Sequence, residues 1–559
     1  MKGPRTAARI LVDQLLLQGV DRVFCVPGES FLAVLDALHD CPQIELVTCR
    51  HEGGAAMMAE AYGKLTGRPG VVFCSRGPGA TNASSGLHVA FQDSTPMILF
   101  IGQNPRDVMT REGFQEIDYR CTFGTQAKAV LQLEDAARTA EFVTRAFQLA
   151  MSGRPGPVVI PLPEDVLTEI AECADGRPAA RFANEPSPEA VSAVRALLTE
   201  ARRPVVMLGG SGWTGEAVAA FRRFAEDSGL PVTASFRRQD LLDNDSSSYI
   251  GELGLGPNPR LVQMVAEADL ILVIGARLGE IGTNGYTIMD IPCPRQRLIH
   301  VYPGPDEIGH VYRPELGIVS DPASFALALA AGGAVRGDWD DWRKAARADF
   351  EAWTAPRTSP GAIQMCEIMA WLDESLPEDT IYTNGAGNFT VWLHRFHRYR
   401  RFGTQVAPIC GSMGYGIPAA LAAKFARPEA SVICIAGDGD FQMTCTELAT
   451  AAAHGLKIRI LILNNGMLGT IRMHQERHYP ARVSGTDLAR GNPDFTALAR
   501  SYGAHAERVE RTTDFAAAFA RADTHDGPAV IEIMIDPEAL TPGASLSQIR
   551  QAALQTLPG

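Results

Sequence analysis

Several classes of protein are excluded by what this sequence lacks. Its 11 cysteines are scattered and include no C-x-x-C pair, so we expect neither a disulfide framework nor a zinc ribbon. No apolar run reaches the roughly 18 residues of a membrane span. The first residues show no charged region followed by an apolar stretch and a cleavage site. These absences predict a cytoplasmic protein with no membrane partner.

An excess of positive charge is also missing. The 51 Lys and Arg residues are outnumbered by 64 Asp and Glu, and the formal net charge of -13 is spread along the chain. This balance argues against a nucleic acid or an anionic membrane as partner, although a local Arg or Lys can still bind a small anionic substrate. The composition, 46% hydrophobic and 21% charged, is that of a globular protein, and 559 residues are enough for three or four domains.

What the chain does contain is an alternation of short apolar runs and helical stretches in three segments. The segments are 1–170, 189–335 and 360–559, and breaks rich in proline, glycine and charge lie at 162–188 and 332–346. This alternation predicts three doubly wound α/β domains in series, with ligand sites at the carboxyl ends of parallel strands. The predicted strands are Val23–Val26, Ile44–Val47, Val71–Cys74, Met97–Gly102, Val205–Leu208, Val232–Ser235, Leu270–Ile274, Leu298–Val301, Ile381–Thr383, Val432–Ala436, Ile458–Leu463 and Ala529–Ile535.

Two polar motifs follow neighbouring strands of the third segment. One contains Asp438 between two glycines, the other contains Asn465, and a single helix at about 444–454 fits between them. Both motifs then lie at one edge of a parallel sheet, where a carboxylate, an amide oxygen and diphosphate oxygens suit Mg²⁺. Each motif alone would be explained by a turn, but their common position favours a metal site. They fit neither an EF-hand nor a Walker A loop.

These motifs carry a family resemblance. Gly437-Asp438-Gly439 followed by Asn464-Asn465 resembles the diphosphate-binding motif of thiamine-diphosphate enzymes. Nearly the whole chain is similar to the acetolactate synthase (acetohydroxyacid synthase) group of that family. The resemblance implies that Asp438, Asn465 and the carbonyl of Met467 bind Mg²⁺. It implies cofactor contacts from Pro27, Gly28, Glu52, Thr81, Asn82, Gly385, Ala386, Gly387, Asn388, Gly411, Met413, Gly437, Asp438, Gly439, Asp440, Asn465, Met467, Leu468 and Gly469.

Glu52 is the residue that the resemblance ties most directly to catalysis. An acid at the start of a helix would, on its own, be explained by the helix dipole. The resemblance implies instead that Glu52 hydrogen-bonds the pyrimidine ring of the cofactor and promotes loss of its reactive proton. Met413 is implied to lie between the two rings of the cofactor, whereas a methionine among glycines otherwise indicates core packing.

The substrate side is less well determined. Gln115, a catalytic candidate, and Phe114 are implied to lie near the substrate, but a polar loop would explain them too. Lys128 matches a substrate-side lysine of the group, and a solvated surface position explains it equally well.

The sequence also departs from the synthases near the expected substrate. Glu29 replaces a glycine, Arg76 a small residue, Phe389 a histidine, and His474 a tryptophan that shapes the choice of second substrate. Glu29 and His474 can titrate, and acid–base and structural roles are both open for them. The resemblance therefore determines the cofactor better than the reaction.

A second nucleotide site is suggested in the middle segment. Gly210 and Gly212 belong to a G-x-G-x-x-G pattern between a strand and a helix. The next strand ends at Arg237 and Arg238 without an acid for a ribose, so a nicotinamide site is disfavoured. A tight turn that packs the helix on the sheet is the alternative.

The resemblance implies FAD, bound non-catalytically, in this middle domain. The sequence lacks the paired aspartates and the acid expected on neighbouring stretches of the synthases. The two adjacent arginines would suit phosphates of ADP or CoA, which related enzymes bind there. We expect FAD first, with contacts from Gly275, Ala276 and Arg277.

Together these features predict a thiamine-diphosphate- and Mg²⁺-dependent lyase or carboligase acting on a small-molecule 2-keto acid. Alternatives are a 2-hydroxyacyl-CoA lyase or a 2-keto-acid decarboxylase on the same scaffold, and a non-catalytic cofactor-binding subunit. In the family, the residues matching Glu52 and Asp438 act in one site built from two chains. We therefore expect a homodimer or homotetramer with active sites at the subunit interface.

Overall fold

The computed structural model describes residues 3–556, which form three six-stranded sheets flanked by helices. All strand pairs within these sheets are parallel. The predicted fold class is therefore confirmed. Two residues at the start of the first predicted segment and three at the end of the last lie outside the described residues. Within residues 3–556, no helix is long and apolar enough to cross a membrane.

The first sheet has its switch in strand order between β2 and β4. Its strands run in the order β3-β2-β4-β5-β7-β6, and a short antiparallel pair, β1 with β8, lies apart from it. The elements are β1 Arg5–Thr6, α1 Ala7–Leu17, β2 Arg22–Cys25, α2 Leu32–His39, β3 Glu45–Thr48, α3 Glu52–Thr66, β4 Gly70–Cys74, α4 Pro78–Asp93, β5 Met97–Gln103, α5 Tyr119–Phe123, β6 Ala129–Val130, α6 Thr139–Met151, β7 Pro157–Pro163, α7 Glu164–Thr168 and β8 Ile170–Ala171.

The middle sheet repeats this construction, with the order β11-β10-β9-β12-β13-β14 and the switch between β9 and β12. Its central strands β9 and β12 are apolar and buried at every residue, as helices on both faces of a sheet require. The elements are α8 Pro188–Glu200, β9 Pro204–Leu208, α9 Gly215–Ser228, β10 Val232–Ser235, β11 Tyr249–Leu253, α10 Pro259–Glu267, β12 Leu270–Ile274, β13 Arg297–Tyr302, β14 Leu316–Val319, α11 Pro322–Ala331 and α12 Asp340–Thr354.

The third sheet has the order β16-β15-β17-β18-β20-β19, with the switch between β15 and β17. Ligands of doubly wound proteins bind at such switch points, outside the carboxyl ends of the strands. The elements are α13 Met365–Ser375, β15 Ile381–Asn384, α14 Thr390–Phe396, β16 Gln405–Val406, α15 Gly416–Ala426, β17 Val432–Gly437, α16 Asp438–Gln442, α17 Leu448–Ala453, β18 Arg459–Asn464, α18 Gly469–His478, α19 Phe495–Ser501, β19 His505–Val509, α20 Thr512–Asp523, β20 Ala529–Met534 and α21 Leu546–Thr556.

The structure corrects the sequence prediction at three places. The first predicted break contains regular structure as far as Ala171: it overlaps the end of the fully buried β7, whose three prolines obscure the strand pattern, and includes α7 and β8. The second break contains the start of α12. The single helix expected at 444–454 is shorter, with a 3₁₀ turn at Cys445–Glu447 before α17, and an additional short helix, α16, follows β17 directly.

By spatial clustering, the described residues form two compact units. One unit comprises the chain through Phe182 with residues 408–428 and 444–456, and the other comprises residues 183–407, 429–443 and the chain from 457 onward. Helices α15 and α17 therefore belong to the first unit, where α15 packs against α3.

Candidate cofactor site

The switch point of the third sheet brings two predicted loops into contact. The loop after β15 begins at Gly385, and β17 leads directly into Asp438 and Asp440. Oδ1 of Asp440 accepts a hydrogen bond of 3.1 Å from the backbone N–H of Ala386. A side chain at Gly385 would collide with the Asp440 carboxylate, so only glycine fits there. The two loops meet through a buried acid.

Asp438 is a buried carboxylate at this edge, with only 2% of its surface exposed. Burial raises its pKa, and a 2.7 Å hydrogen bond from Nδ2 of Asn492, with backbone N–H groups of Gly439 and Gly466, opposes that rise. A cation bound beside Asp438 would offset the cost of burying its charge.

The donor set here fits a Mg²⁺–diphosphate pair rather than a closed protein cage. Within residues 3–556, no three His, Cys, Asp or Glu side chains cluster as metal ligands. Mg²⁺ needs few of them, since it usually takes one or two carboxylates together with phosphate oxygens and water. The carboxylate of Asp438, the amide oxygen of Asn465 and the carbonyl of Met467 would form such a ligand set.

The second predicted metal motif lies at the end of β18, the neighbour of β17. Oδ1 of Asn465 accepts from the backbone N–H of Met467 over 3.2 Å. The loop is held by Leu468, whose N–H donates to Thr486 over 2.9 Å, and by Gly466, whose carbonyl accepts from Leu488 over 2.8 Å. The segment 486–488 thus fixes the loop that carries Asn465 and Met467.

The remaining predicted residues of this unit lie along the same edge. Gly387 and Asn388 continue the loop after β15, and Oδ1 of Asn388 accepts from Oγ1 of Thr470 over 2.9 Å. Gly469 opens α18, close to the Asn465 amide. The structure therefore brings together, within the second unit, the residues predicted on β15, β17 and β18.

Asn492 is a site residue that the sequence prediction missed. Its side chain contacts Asp438, 54 residues away along the chain, and also accepts from Gln442 over 3.0 Å. It lies in a loop before α19, outside any recognisable motif, so only the fold connects it with Asp438.

Glu52 lies at the first residue of α3, in the first unit. Its Oε2 accepts a 3.0 Å hydrogen bond from Nδ2 of Asn82, on the first turns of α4. Gly79 lies so close that a Cβ there would be 3.3 Å from Oε1 of Glu52. His51 caps the helix by accepting from the N–H of Gly53 over 3.0 Å. The amino ends of α3 and α4 thus bring Glu52 and Asn82 together.

Other predicted cofactor residues also belong to this unit. Gly28 packs against Ser75, beyond the exposed Pro27. Oγ1 of Thr81 donates to the carbonyl of Gly77 over 2.8 Å, inside α4. Gly411 and the half-buried Met413 occupy the loop before α15.

Arg76 is the substrate-side residue with the most defined surroundings. It is buried, forms an ion pair with Glu164, and holds Nη2 3.9 Å from Oε1 of Glu29. Gln115 adopts a left-handed backbone (φ +60°) against Gly77. Two of the departures from the synthases, Glu29 and Arg76, are therefore neighbours.

Two further substrate-side candidates, Phe114 and Lys128, differ in their surroundings. Phe114 is 70% exposed. Nζ of Lys128 donates to the carbonyls of Leu149 and Ser152, over 2.6 and 2.5 Å, at the end of α6. Burial lowers the pKa of Lys128 to about 8. The bonds of Lys128 close a helix end, and contact with a substrate stays a prediction.

His474 is exposed on α18, with its ring stacked on that of His478 at 6.1 Å between centroids. Partial burial, followed by the charges of Arg477 and His478, lowers the pKa of His474. The neutral ring is therefore favoured near neutral pH.

The switch point of the middle sheet is closed by backbone contacts. Gly210 has φ +69°, and a Cβ there would collide with the carbonyl of Gly275. Nη1 of Arg238 donates to the carbonyl of Gly210. The close approach of the two loops therefore requires glycine at position 210, and a nucleotide contact there stays a prediction. Gly212 follows at φ +86°.

Arg277 and Ala276 follow Gly275 at this switch point. Nε of Arg277 donates to Glu307 over 3.0 Å, and the carbonyl of Ala276 lies 3.0 Å from Nε2 of His300. These contacts hold Ala276 and Arg277 in place at the switch point, and their part in binding FAD stays a prediction.

Comparison with known proteins assigns all three segments to one family. Residues 5–121 match the N-terminal TPP binding domain of thiamine pyrophosphate (thiamine diphosphate) enzymes, residues 191–329 the central domain, and residues 385–533 the C-terminal TPP binding domain.

Several relatives are similar over most of their length. The acetolactate synthase isozyme 2 large subunit of Escherichia coli (strain K12) is 33% identical, over 97% of this chain and 98% of its own. The acetolactate synthase large subunits of Parasynechococcus marenigrum (33% identical, 90% and 83%) and Lactococcus lactis (31%, 96% and 93%) are also similar. The predicted family and thiamine diphosphate dependence are confirmed. The chain belongs to the thiamine pyrophosphate enzyme family, in the group of the acetolactate synthase large subunits.

Proposed function

We propose that this enzyme is a Mg²⁺-requiring carboligase of the acetolactate synthase type. A 2-keto acid such as pyruvate loses CO₂, and the remaining two-carbon unit is joined to the carbonyl of a second keto acid. The buried Asp438, at a switch point whose loops meet through Asp440 and Ala386, is the observation that carries the proposal. The acetolactate synthase relatives support it over a decarboxylase or an acyl-CoA lyase.

We assign the cofactor contacts as the sequence predicts them. Asp438, Asn465 and the carbonyl of Met467 hold Mg²⁺, and the loop 385–388 faces the diphosphate. When bound, thiamine diphosphate supplies the electron sink for decarboxylation. Glu52 holds a proton at the pyrimidine ring, with its carboxylate oriented by Asn82. Asn492 orients Asp438.

We propose that Glu52 of one copy and Asp438 of another complete each site, in a homodimer or homotetramer. Mixing the inactive variants Glu52→Gln and Asp438→Ala tests this directly. Mixed dimers then contain one site with both residues intact, so activity returns on subunit exchange. A mixture that exchanges subunits and stays inactive would contradict the shared site.

FAD is our first candidate for the middle domain, ahead of ADP and CoA. The absorption spectrum of the purified protein distinguishes them, since only the flavin absorbs visible blue light. If the purified protein is colourless and is stabilised by ADP or CoA, the middle domain binds one of these nucleotides and not FAD. The domain limits 1–170, 189–335 and 360–559 and a cytoplasmic location also stay proposals.

The reaction is tested by CO₂ release from a panel of 2-keto acids, with product analysis for 2-acetolactate. CO₂ release with a ligated acetohydroxy acid supports the carboligase. CO₂ release with free aldehyde alone identifies a decarboxylase, and cleavage of a 2-hydroxyacyl-CoA identifies the lyase. Bound cofactor without turnover in either assay identifies a binding subunit.

A further inference from the structure

Glu447 is a buried carboxylate that the sequence motifs do not include. It lies in the turn between α16 and α17, and its side chain is fully buried in the first unit. Oε1 accepts from the backbone N–H groups of His51 (3.0 Å) and Arg50 (3.1 Å). Oε2 accepts from Oγ1 of Thr450 over 2.7 Å. Glu447 thus binds backbone donors 397 and 396 residues away in sequence.

These two donors belong to the short connection that leads into Glu52. β3 ends at Thr48 and α3 begins at Glu52, so only residues 49–51 lie between the sheet and the catalytic candidate. The N–H groups of an entering helix turn need acceptors, and Glu447 supplies one carboxylate for two of them. The direction in which the chain enters α3 is therefore fixed by Glu447.

The carboxylate also lies directly against the first turn of α3. A Cβ at Gly54 would be 2.6 Å from Oε1 of Glu447 and 2.9 Å from its Cγ. The missing side chain at Gly54 therefore makes room for the acid. The Glu447 carboxylate is thus held from three sides, by the connection 49–51, by the first turn of α3 and by Thr450.

Burying such a group has a cost that only specific bonds offset. Burial raises the pKa of Glu447, and the bonds from Thr450, Arg50 and His51 oppose that rise. A glutamine keeps one acceptor oxygen for the two backbone N–H groups, but it loses the negative charge that strengthens these bonds, and its NH₂ group replaces the oxygen that accepts from Oγ1 of Thr450. The arrangement therefore favours a carboxylate.

We propose that Glu447 is a positioning residue for Glu52: it holds the connection 49–51 so that the Glu52 carboxylate meets the cofactor's pyrimidine ring. This inference rests on the role proposed for Glu52. Glu447 bonds Arg50, His51 and Thr450, and it acts on Glu52 through the connection that these residues fix. Its loss misaligns proton transfer by Glu52 without removing a bond to the diphosphate.

The test compares Glu447→Gln with Glu60→Gln in the cofactor-loaded protein. Glu60 is an equally buried carboxylate on α3, two turns beyond Glu52, and accepts from Thr95 and Tyr415 over 2.6 and 2.5 Å. Three quantities are measured: the Kd of thiamine diphosphate with Mg²⁺, the exchange rate of the cofactor's C2 proton, and kcat with KM.

Glu447→Gln is expected to slow C2 proton exchange and kcat by about 10- to 100-fold, since small misplacements of a reacting group have effects of that size. The Kd and KM stay within about 3-fold of the parent values. Glu60→Gln leaves exchange near the parent rate. Equal exchange in the two variants, or a loss of cofactor affinity that matches the loss of exchange, overturns the inference.

Two further variants keep the result decisive. If Glu447→Gln does not fold, Gly54→Ala presses a methyl group on the same carboxylate while retaining it, and slowed exchange at unchanged Kd is again expected; parent exchange overturns the proposal. Glu52→Gln distinguishes a failure of the role proposed for Glu52 from a failure of the positioning role proposed for Glu447. Normal exchange in Glu52→Gln refutes the role of Glu52 itself, whereas slowed exchange there with normal exchange in Glu447→Gln refutes only the positioning role.

Discussion

The switch points of the middle and third sheets have the same construction and different contents. In both, two loops leave neighbouring parallel strands and approach each other at a glycine. Gly210 meets a backbone carbonyl, that of Gly275, whereas Gly385 meets the carboxylate of Asp440. The cation of Arg238 bonds the carbonyl of Gly210, whereas a second buried acid, Asp438, lies two residues before Asp440.

This difference shows that the fold determines where a binding site can form but not which ligand it binds. The strand order provides a crevice in each sheet, but the side chains at the strand ends determine what can bind there. Buried acids at the third sheet suit a divalent cation and a diphosphate. Backbone closure at the middle sheet instead brings its two loops together through main-chain atoms and the Arg238 cation.

The largest effect is expected from a substitution at the switch point of the third sheet. Asp438→Ala removes the only carboxylate assigned to Mg²⁺, so the Mg²⁺-dependent affinity for thiamine diphosphate falls by at least about 100-fold. Titration calorimetry with and without Mg²⁺ measures this. The matched variant Asp290→Ala removes an exposed acid of the middle segment and keeps the parent affinity. Unchanged affinity in Asp438→Ala would refute the metal site.

The middle switch point is broken by Gly210→Ala instead. The new methyl group meets the carbonyl of Gly275 on a left-handed backbone, so the free energy of unfolding falls by about 2 kcal/mol. Denaturant unfolding measures the loss. Gly215→Ala, with no atom near its Cβ position, serves as control. Below its unfolding transition, Gly210→Ala keeps the parent affinity for thiamine diphosphate; a loss comparable to that of Asp438→Ala would contradict the comparison.

A smaller effect is expected from a second substitution at the switch point of the third sheet. Asn492→Ala leaves Asp438 in place but removes the amide that orients it, so the affinity for Mg²⁺ with thiamine diphosphate falls by about 10-fold. The same calorimetry measures it. Asn284→Ala, at an exposed turn of the middle segment, is the control. A loss as large as that of Asp438→Ala would mean that Asn492 itself binds the metal.

The smallest expected effect concerns the cofactor-free protein. Burial raises the folded-state pKa of Asp438 above its unfolded value, so stability is lost as pH rises through the folded pKa. Asp438→Asn removes this titration and should raise the Tm of the cofactor-free protein slightly at neutral pH. The gain shrinks as the pH approaches the unfolded pKa of aspartate. Thermal unfolding between pH 4 and pH 8 measures it (unfolded Asp has a pKa of about 3.9). A lower Tm than the parent at neutral pH would contradict it.

The sequence predicted those parts of the fold that have a local pattern. Central strands such as β9 and β12 are continuous apolar runs, and each was expected within a residue or two. The edge strands β14 and β19 are only partly buried, and Gly317 in β14 and charged residues in β19 interrupt their apolar pattern, so the sequence prediction missed them. Patterns of hydrophobicity identify the buried middle of a sheet better than its rim.

The candidate site likewise contains residues that a local motif predicts and residues that no local motif predicts. Asp438, Asn465 and Glu52 follow strands directly and carry recognisable motifs. Asn492 and Glu447 act on them from positions 54 and nearly 400 residues away. No local pattern connects such pairs, because only the folded chain brings them together.

The packing of α15 against α3 has a consequence for synthesis on the ribosome. Helix α3 is buried along most of its length, and α15 lies more than 300 residues later in the chain. The first unit therefore stays incomplete until residues 408–456 have left the ribosome. Until then, the nascent amino-terminal segment exposes an apolar helix face that chaperones are expected to cover.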